Sequence, residues 1–182
     1  MRHVHLTAAL AVLALVLVAA AGATAGGGSR SVHVDRARDN ASAPDIRKVI
    51  LTSRGNGIVD FEIDLAATIP ADGSSVGVMI DADRNLRTGS PMGGEYLVLA
   101  EADGASFGKW DGDEWSDFAH RPFRPNLVGG RLTFSLTLSD LRTTRFDFLV
   151  GGRHGKDVDL APDFGTFSYP AAPAKAVIVV ST

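Results

Sequence analysis

Oxygen-bearing side chains stand at alternating positions in the segment MIDADRNLRTGSPMGGEY, which covers residues 79–96. Asp81, Asp83 and Asn85 supply two carboxylates and an amide, and Glu95 follows beyond a Gly-Gly pair. Three such groups at the end of a strand can converge on one point if the chain curls, as the ligands of hard cations such as calcium do. Glu95 can turn back across the Gly-Gly bend as a further ligand. This spacing is compatible with a metal site.

Two other interpretations of the same residues stay open. In an Asx-rich turn, the Asp and Asn side chains accept hydrogen bonds from their own backbone. Two neighbouring carboxylates can also form a catalytic pair, although the sequence shows no substrate cleft. An EF-hand is excluded, because Leu86 stands where that loop needs glycine and Met92 stands where it needs a bidentate glutamate.

Two tryptophans, Trp110 and Trp115, flank the four-residue turn DGDE. A regular hairpin would place them opposite each other on one face of a sheet. Adjacent indole rings can stack on the apolar face of a sugar, but a cross-strand tryptophan pair more often packs a sheet. We expect packing, and exposure of both rings would indicate sugar binding.

The sequence carries no G-x-S-x-G, H-E-x-x-H or phosphate-loop motif, and we expect no enzyme activity.

The first 25 residues have the layout of a secretory signal peptide. Arg2 precedes a long Leu/Val/Ala run, and Ala23-Thr24-Ala25 supplies a cleavage site. The alternative is an uncleaved anchor, because the run is near the lower length limit for spanning a bilayer. We expect cleavage, and therefore a protein that is secreted, extracellular or held in the cell envelope. The chain has no cysteine, so its core, or a bound ion, must hold the fold.

The elements that position these residues are short strands. Residues 26–43 are small, polar and charged without apolar periodicity, which predicts a flexible linker. From residue 44 to 182, alternating runs separated by Gly, Asp, Asn and Pro predict a single domain. The run at 58–65 alternates most strictly and pairs as a hairpin with the run at 46–53. Nine or ten such strands without a long helix predict an all-β antiparallel sandwich, immunoglobulin-like or jelly-roll-like.

The segment DADRNLRTGSPMGGEY, together with LAPDFGTFSYP at 160–170, resembles a family of secreted bacterial β-sandwiches. These are the family 9 carbohydrate-binding-module-like and DOMON-like domains. Members carry an apolar strand, then D-x-D-x-N-x-x-T-G, a short loop and G-x-E/D-Y. The resemblance covers roughly residues 45–169. It implies a ligand-binding sandwich, often with structural calcium, and it favours the metal interpretation of the acidic segment.

We therefore expect a secreted, non-catalytic ligand-binding module that is stabilised by calcium. The expected ligands of the calcium ion are Asp81, Asp83, Asn85 and Glu95. The resemblance implies a polysaccharide or a cell-surface glycan as the partner, and Trp110 and Trp115 are the candidate ligand-binding residues if their rings are exposed. The alternative is a structural or protein-interaction domain at the cell surface without a small-molecule ligand. A net charge of −3 with no basic block argues against nucleic acid, and no membrane contact is expected after cleavage.

Overall fold

The computed structural model of the chain describes residues 28–36, 42–70, 73–118 and 123–170. The predicted signal segment, residues 1–25, lies outside them. Within the described ranges the chain forms twelve β-strands, and no helix there is long and apolar enough to cross a membrane.

The strands form two antiparallel sheets that pack face to face. In chain order they are β1 (Arg30–Val34), β2 (Ile46–Ser53), β3 (Ile58–Leu65), β4 (Ser75–Asp81), β5 (Tyr96–Glu101), β6 (Gly104–Trp110), β7 (Trp115–Asp117), β8 (Asn126–Val128), β9 (Arg131–Thr137), β10 (Phe146–His154), β11 (Asp157–Ala161) and β12 (Phe167–Tyr169). The five-stranded sheet has the order β1-β2-β3-β9-β8. The seven-stranded sheet has the order β11-β10-β4-β5-β6-β7, with β12 also paired to β10. The predicted all-β antiparallel sandwich is confirmed.

The core lies between the sheets and consists of the side chains that the strands direct toward the opposite sheet. Phe61 of β3 stacks on Phe134 of β9 with ring centroids 4.8 Å apart. Phe148 of β10 meets Phe61 edge-on at 5.6 Å, so aromatic contacts join the two sheets. Burying a side chain of this size stabilises the fold by about 1.5–3 kcal/mol. The period-two alternation of residues 58–65 places Phe61 on the inner face, and the same alternation in β9 and β10 places Phe134 and Phe148 there.

The outer faces of the two sheets differ in chemistry. On the five-stranded sheet, Asp64 pairs with both Lys48 and Arg131 at 2.7 Å. On the seven-stranded sheet, leucines project outward instead, including Leu97 and Leu149, which are only half-buried. The outer face of an antiparallel sandwich normally meets water and is polar. The apolar outer face of the seven-stranded sheet is therefore unusual for this architecture.

One prediction about domain organisation is wrong in part. The segment 26–43 was expected to be a flexible linker, but it contains β1, which pairs along β2 from Arg30 to Val34. Backbone hydrogen bonds to β2 hold this strand, and His33 stacks on Phe167 at 4.3 Å. Val32 and Val34 point away from the core and are exposed, so the apolar periodicity of a half-buried strand is missing from the sequence.

The strand count also exceeds the nine or ten expected. The short strand β8 and the strand β11 were not predicted. In β11, Asp159 faces inward and accepts a hydrogen bond from the Ile46 backbone N–H at 2.8 Å, while Val158 and Leu160 face outward. Because a polar residue faces the core and apolar residues face outward, hydrophobic periodicity does not predict this strand. The strand predicted at 175–182 lies outside the described residues.

Candidate functional site

The acidic segment forms the loop that joins β4 to β5. Strand β4 ends at Asp81, and the chain turns back through positions with positive φ, among them Arg84 (61°) and Gly89 (75°). The backbone N–H of Glu95 donates to the Ile80 carbonyl at 2.9 Å, which closes the base of the loop. A side chain at Gly89 would meet the Gly94 carbonyl oxygen at 2.6 Å, so the loop is too tight there for anything but glycine. The return of the chain brings Glu95 beside the end of β4.

Three carboxylates meet in this loop. Asp81, Asp83 and Glu95 each place an oxygen within 4.8 Å of the other two. Asp81 is buried with 2% of its surface exposed, Glu95 is half-buried and Asp83 is exposed. The cluster therefore opens to solvent on the Asp83 side. This convergence is the one that the D-x-D spacing and the Gly-Gly bend predicted for these three residues.

Backbone N–H groups orient the carboxylates. The N–H of Asn85 donates to Oδ1 of Asp81 at 3.0 Å and to Oδ1 of Asp83 at 2.9 Å. The N–H of Ala82 donates to Oε2 of Glu95 at 2.7 Å. The Asx-turn interpretation is thus correct for the backbone contacts, and it coexists with the clustering of the acids. An Asx-rich turn alone does not explain why Glu95 is drawn in from the other end of the loop.

Burial and mutual repulsion act on the same groups. Burial raises the pKa of Asp81, and the neighbouring Asp83 raises it further. Burial also raises the pKa of Glu95, with Asp83 and Asp81 adding to the effect. The nearest arginine in sequence, Arg84, pairs with Asp147 at 3.1 Å instead of with the cluster. Among the described residues, no basic side chain forms an ion pair with the three acids, so no cation in that part of the chain compensates their charge.

Two further polar residues of the loop, Asn85 and Thr88, lie next to the three acids. The side-chain oxygen of Asn85, a predicted ligand, accepts the Arg87 N–H at 3.3 Å and is engaged in its own turn. Thr88 is not among the predicted ligands, yet its hydroxyl lies 2.7 Å from the Asn85 carbonyl oxygen, 2.9 Å from Oδ2 of Asp83 and 3.4 Å from Oε1 of Glu95. The signal for Thr88 was the Thr-Gly pair that follows the acidic run.

The two tryptophans lie opposite each other, as the hairpin predicted. Trp110 of β6 pairs with Trp115 of β7, and their rings meet edge to face at 5.4 Å and 68°. Both are half-buried and both lie outside the core cluster. The pair packs on the outer face of the seven-stranded sheet, where Trp115 lies across Gly108. The two rings are neither fully exposed nor buried in the core. Full exposure would indicate sugar binding, and burial in the core would indicate packing.

A groove on that outer face is the other candidate site. It has a volume of about 450 Å³ and runs over the middle of β4, β5, β10 and β11. Its lining is almost entirely apolar and includes Leu99, Leu160 and Trp115. Residues Pro91 and Met92 of the acidic loop form part of its wall. The candidate metal cluster and the groove therefore share one loop.

Comparisons with protein-family models, with characterised proteins and with solved structures find no match to this chain.

Proposed function

We propose that this chain is a non-catalytic binding module in which a calcium ion, held by Asp81, Asp83 and Glu95, fixes the β4–β5 loop against the seven-stranded sheet. The observation that carries this proposal is the approach of three carboxylates to within 4.8 Å. Like charges at this separation repel each other, and burial of Asp81 adds a desolvation cost. A divalent cation converts the repulsion into attraction, so that binding and folding are linked.

The surroundings of Thr88 support the same proposal. Its single hydroxyl proton can bond to only one of the oxygens of Asn85, Asp83 and Glu95 that surround it. Whichever oxygen accepts this proton, the hydroxyl has no second proton to donate to the others. A cation satisfies several such oxygens at once. The backbone carbonyl of Asn85 would supply a neutral ligand next to the charged ones.

Calcium is the ion whose chemistry suits this donor set. The three acids and the loop carbonyls are oxygen donors, which suit hard cations, and no histidine or cysteine belongs to the cluster. Calcium accepts irregular coordination by carboxylates, carbonyls and water, whereas magnesium requires a compact octahedral shell. A long loop with its donors spread over fifteen sequence positions, Asp81 to Glu95, offers the irregular kind.

The outer face of the seven-stranded sheet, which borders this loop, is the proposed ligand-binding surface. Pro91 and Met92 extend from the loop into the groove wall, so an ordered loop completes the groove. Carbohydrate binding at Trp110 and Trp115 stays a prediction, and its support is that both rings lie on this face with part of their surface open to solvent. Burial of Asp81 supports a structural role for the cluster, because a catalytic carboxylate must reach its substrate.

Thermal unfolding tests the proposal. Calcium should raise the free energy of unfolding relative to excess chelator by about 2.7 kcal/mol when free calcium exceeds its dissociation constant about a hundredfold. Asp83→Asn should reduce this gain while preserving the size of the side chain. Asp113→Asn, in the exposed turn between β6 and β7, is the matched control and should leave the gain intact. Superimposable melting curves in calcium and chelator would overturn the proposal.

A further inference from the structure

The groove exists because two glycines lie opposite each other on neighbouring strands. Gly77 of β4 pairs with Gly151 of β10 on the outer face. In the same cross-strand row, Leu160 stands beside Gly151 and Leu99 stands beside Gly77. Two missing side chains between two leucines leave a trough, with the backbone as its floor. Glycine weakens a strand interior, so this pair is costly unless the space is used.

The walls of the trough are apolar and partly uncovered. Met92 has 60% of its surface exposed and Val158 has 48%, although both are hydrophobic. The opposite outer face of the sandwich carries the ion pairs of Asp64 and Asp60 instead. Water-facing sheet surfaces are normally polar, and a contiguous apolar patch on one of them marks a binding surface. The trough offers few partners for the hydroxyl groups of a sugar.

A positively charged side chain lies at one end of the trough. Arg153 lines the groove there, and Lys156 follows in the β10–β11 turn. Both side chains are exposed. Neither forms an ion pair with any residue in the described part of the chain, in contrast to Arg54, Arg84 and Arg131, which all do. An elongated apolar trough with a free guanidinium at its mouth is complementary to an alkyl chain that ends in an anion.

We propose that this groove binds one free long-chain acyl carboxylate, with its alkyl chain over the Gly77–Gly151 floor and its carboxylate at Arg153. The proposal extends the binding function proposed above. It rests on that function only in placing the ligand on the outer face of the seven-stranded sheet. The calcium site is carried by separate observations and is tested separately. The alkyl chain fills the space that the two glycines leave and covers the exposed leucine and methionine side chains, which supplies the affinity.

The test is a calorimetric titration of the protein with monomeric laurate and palmitate, run beside dodecanol and dodecyltrimethylammonium. The carboxylates should bind one per chain, the alcohol more weakly and the cationic amphiphile most weakly. Arg153→Gln should weaken binding of laurate roughly tenfold or more, because a charge-assisted hydrogen bond is lost, and should leave dodecanol binding unchanged. Equal affinity for all three head groups would overturn the assignment of the carboxylate to Arg153.

A space-filling variant separates loss of the groove from loss of the fold. A Cβ atom at Gly77 would meet Leu97 and Leu99 at 3.5 Å and 3.9 Å, which is ordinary contact, and the backbone there is not in the left-handed region. Gly77→Val should therefore fold and should reduce laurate binding at least tenfold by filling the floor. The control, Ser106→Val, places the same valine side chain in the same cross-strand row beyond Leu99, and should bind laurate normally.

Three further results would overturn the proposal. The first is a folded Gly77→Val variant that binds laurate as the unmodified protein does. The second is wild-type protein that binds none of the amphiphiles, even though calcium stabilises it. In that case the metal proposal survives and the acyl proposal fails. The third is a protein that ignores monomeric acyl chains but sediments with phospholipid vesicles or forms a dimer that Leu160→Arg dissociates. That result would assign the face to a membrane or to a second copy.

Discussion

Gly77 of β4 and Gly151 of β10 lie directly opposite each other on the outer face of the seven-stranded sheet. On the inner face of the same two strands, Val78 and Val150 also pair and are fully buried. The sheet is therefore packed on one side and recessed on the other at the same point along its strands. A recess made by the absence of side chains can be filled by a single substitution, so the use of this face is open to direct test.

Glycines of the inner and outer faces should respond in opposite ways to alanine. Gly77→Ala places a methyl group in ordinary van der Waals contact with Leu97 and Leu99 and should raise the free energy of unfolding by about 0.5–1 kcal/mol, since it restricts the unfolded chain. Gly152→Ala should lower it by roughly 1–3 kcal/mol, because the new Cβ atom would overlap the backbone carbonyl oxygen of Pro44. Urea unfolding of the two variants measures both effects, and equal effects of the same sign would contradict this packing.

The tryptophan pair should matter less for stability than a core aromatic residue does. Trp115→Ala removes an edge-to-face cross-strand contact that is half-buried, and we expect a loss of about 1–2 kcal/mol. A tryptophan packed in the core would cost about 3–5 kcal/mol on truncation, as is expected for a core aromatic such as Phe61. Chemical denaturation of Trp115→Ala beside Phe61→Ala makes the comparison. A loss as large for Trp115 as for Phe61 would show that the pair carries core packing.

Period-two patterning predicted most of the fold, because the inner faces of β3, β9 and β10 follow it closely. It failed for β1 and β11, where the outward side chains include valine and leucine and the inward ones include His33 and Asp159. Backbone hydrogen bonds hold such strands at the sheet edges, and backbone pairing produces no hydrophobic pattern in the sequence. The resemblance to family 9 carbohydrate-binding-module-like and DOMON-like domains stays a prediction.

The acidic cluster was predictable in part. The alternation of Asp81 and Asp83 showed that two carboxylates leave one strand together, and the Gly-Gly bend allowed Glu95 to return. Thr88 could not be placed, because its position depends on the turn at Arg84, which adopts φ of 61° without being a glycine. The groove was invisible from sequence for a different reason. It depends on the register between β4 and β10, which aligns two glycines that are 74 positions apart, at 77 and 151.

Calcium and the groove ligand should bind cooperatively, since one loop serves both. Ser90 contacts the sulfur of Met79 at 3.9 Å, and Pro91 and Met92 line the groove, while Glu95 closes the cluster. Calcium should raise the affinity for laurate by about fivefold, and laurate should raise the affinity for calcium by the same factor. Laurate titrations in calcium and in chelator measure the first factor. Identical affinities in the two buffers would show that the loop does not couple the sites.

The stabilisation by calcium should depend on pH. Burial raises the pKa of Asp81 and Glu95 above their ordinary values of 3.8 and 4.5. Without metal, the folded protein prefers these groups protonated, so their contribution to stability is lost as pH rises from the ordinary pKa values through the raised ones. Calcium binds the ionised forms and offsets that loss. The difference in Tm between calcium and chelator should be near zero at about pH 4 and large at about pH 7. A constant difference across this range would contradict the assignment.

Direct titration of the metal-free protein with calcium is the measurement that bears most closely on the carboxylate cluster. We predict one calcium ion per chain, with binding lost in Asp81→Asn and in Glu95→Gln, because each variant removes a charge from a three-carboxylate site. Asp113→Asn should bind as the unmodified protein does, since its carboxylate lies in the exposed turn between β6 and β7. Absence of a calcium isotherm in the unmodified protein, or an isotherm that persists unchanged in both Asp81→Asn and Glu95→Gln, would contradict the account.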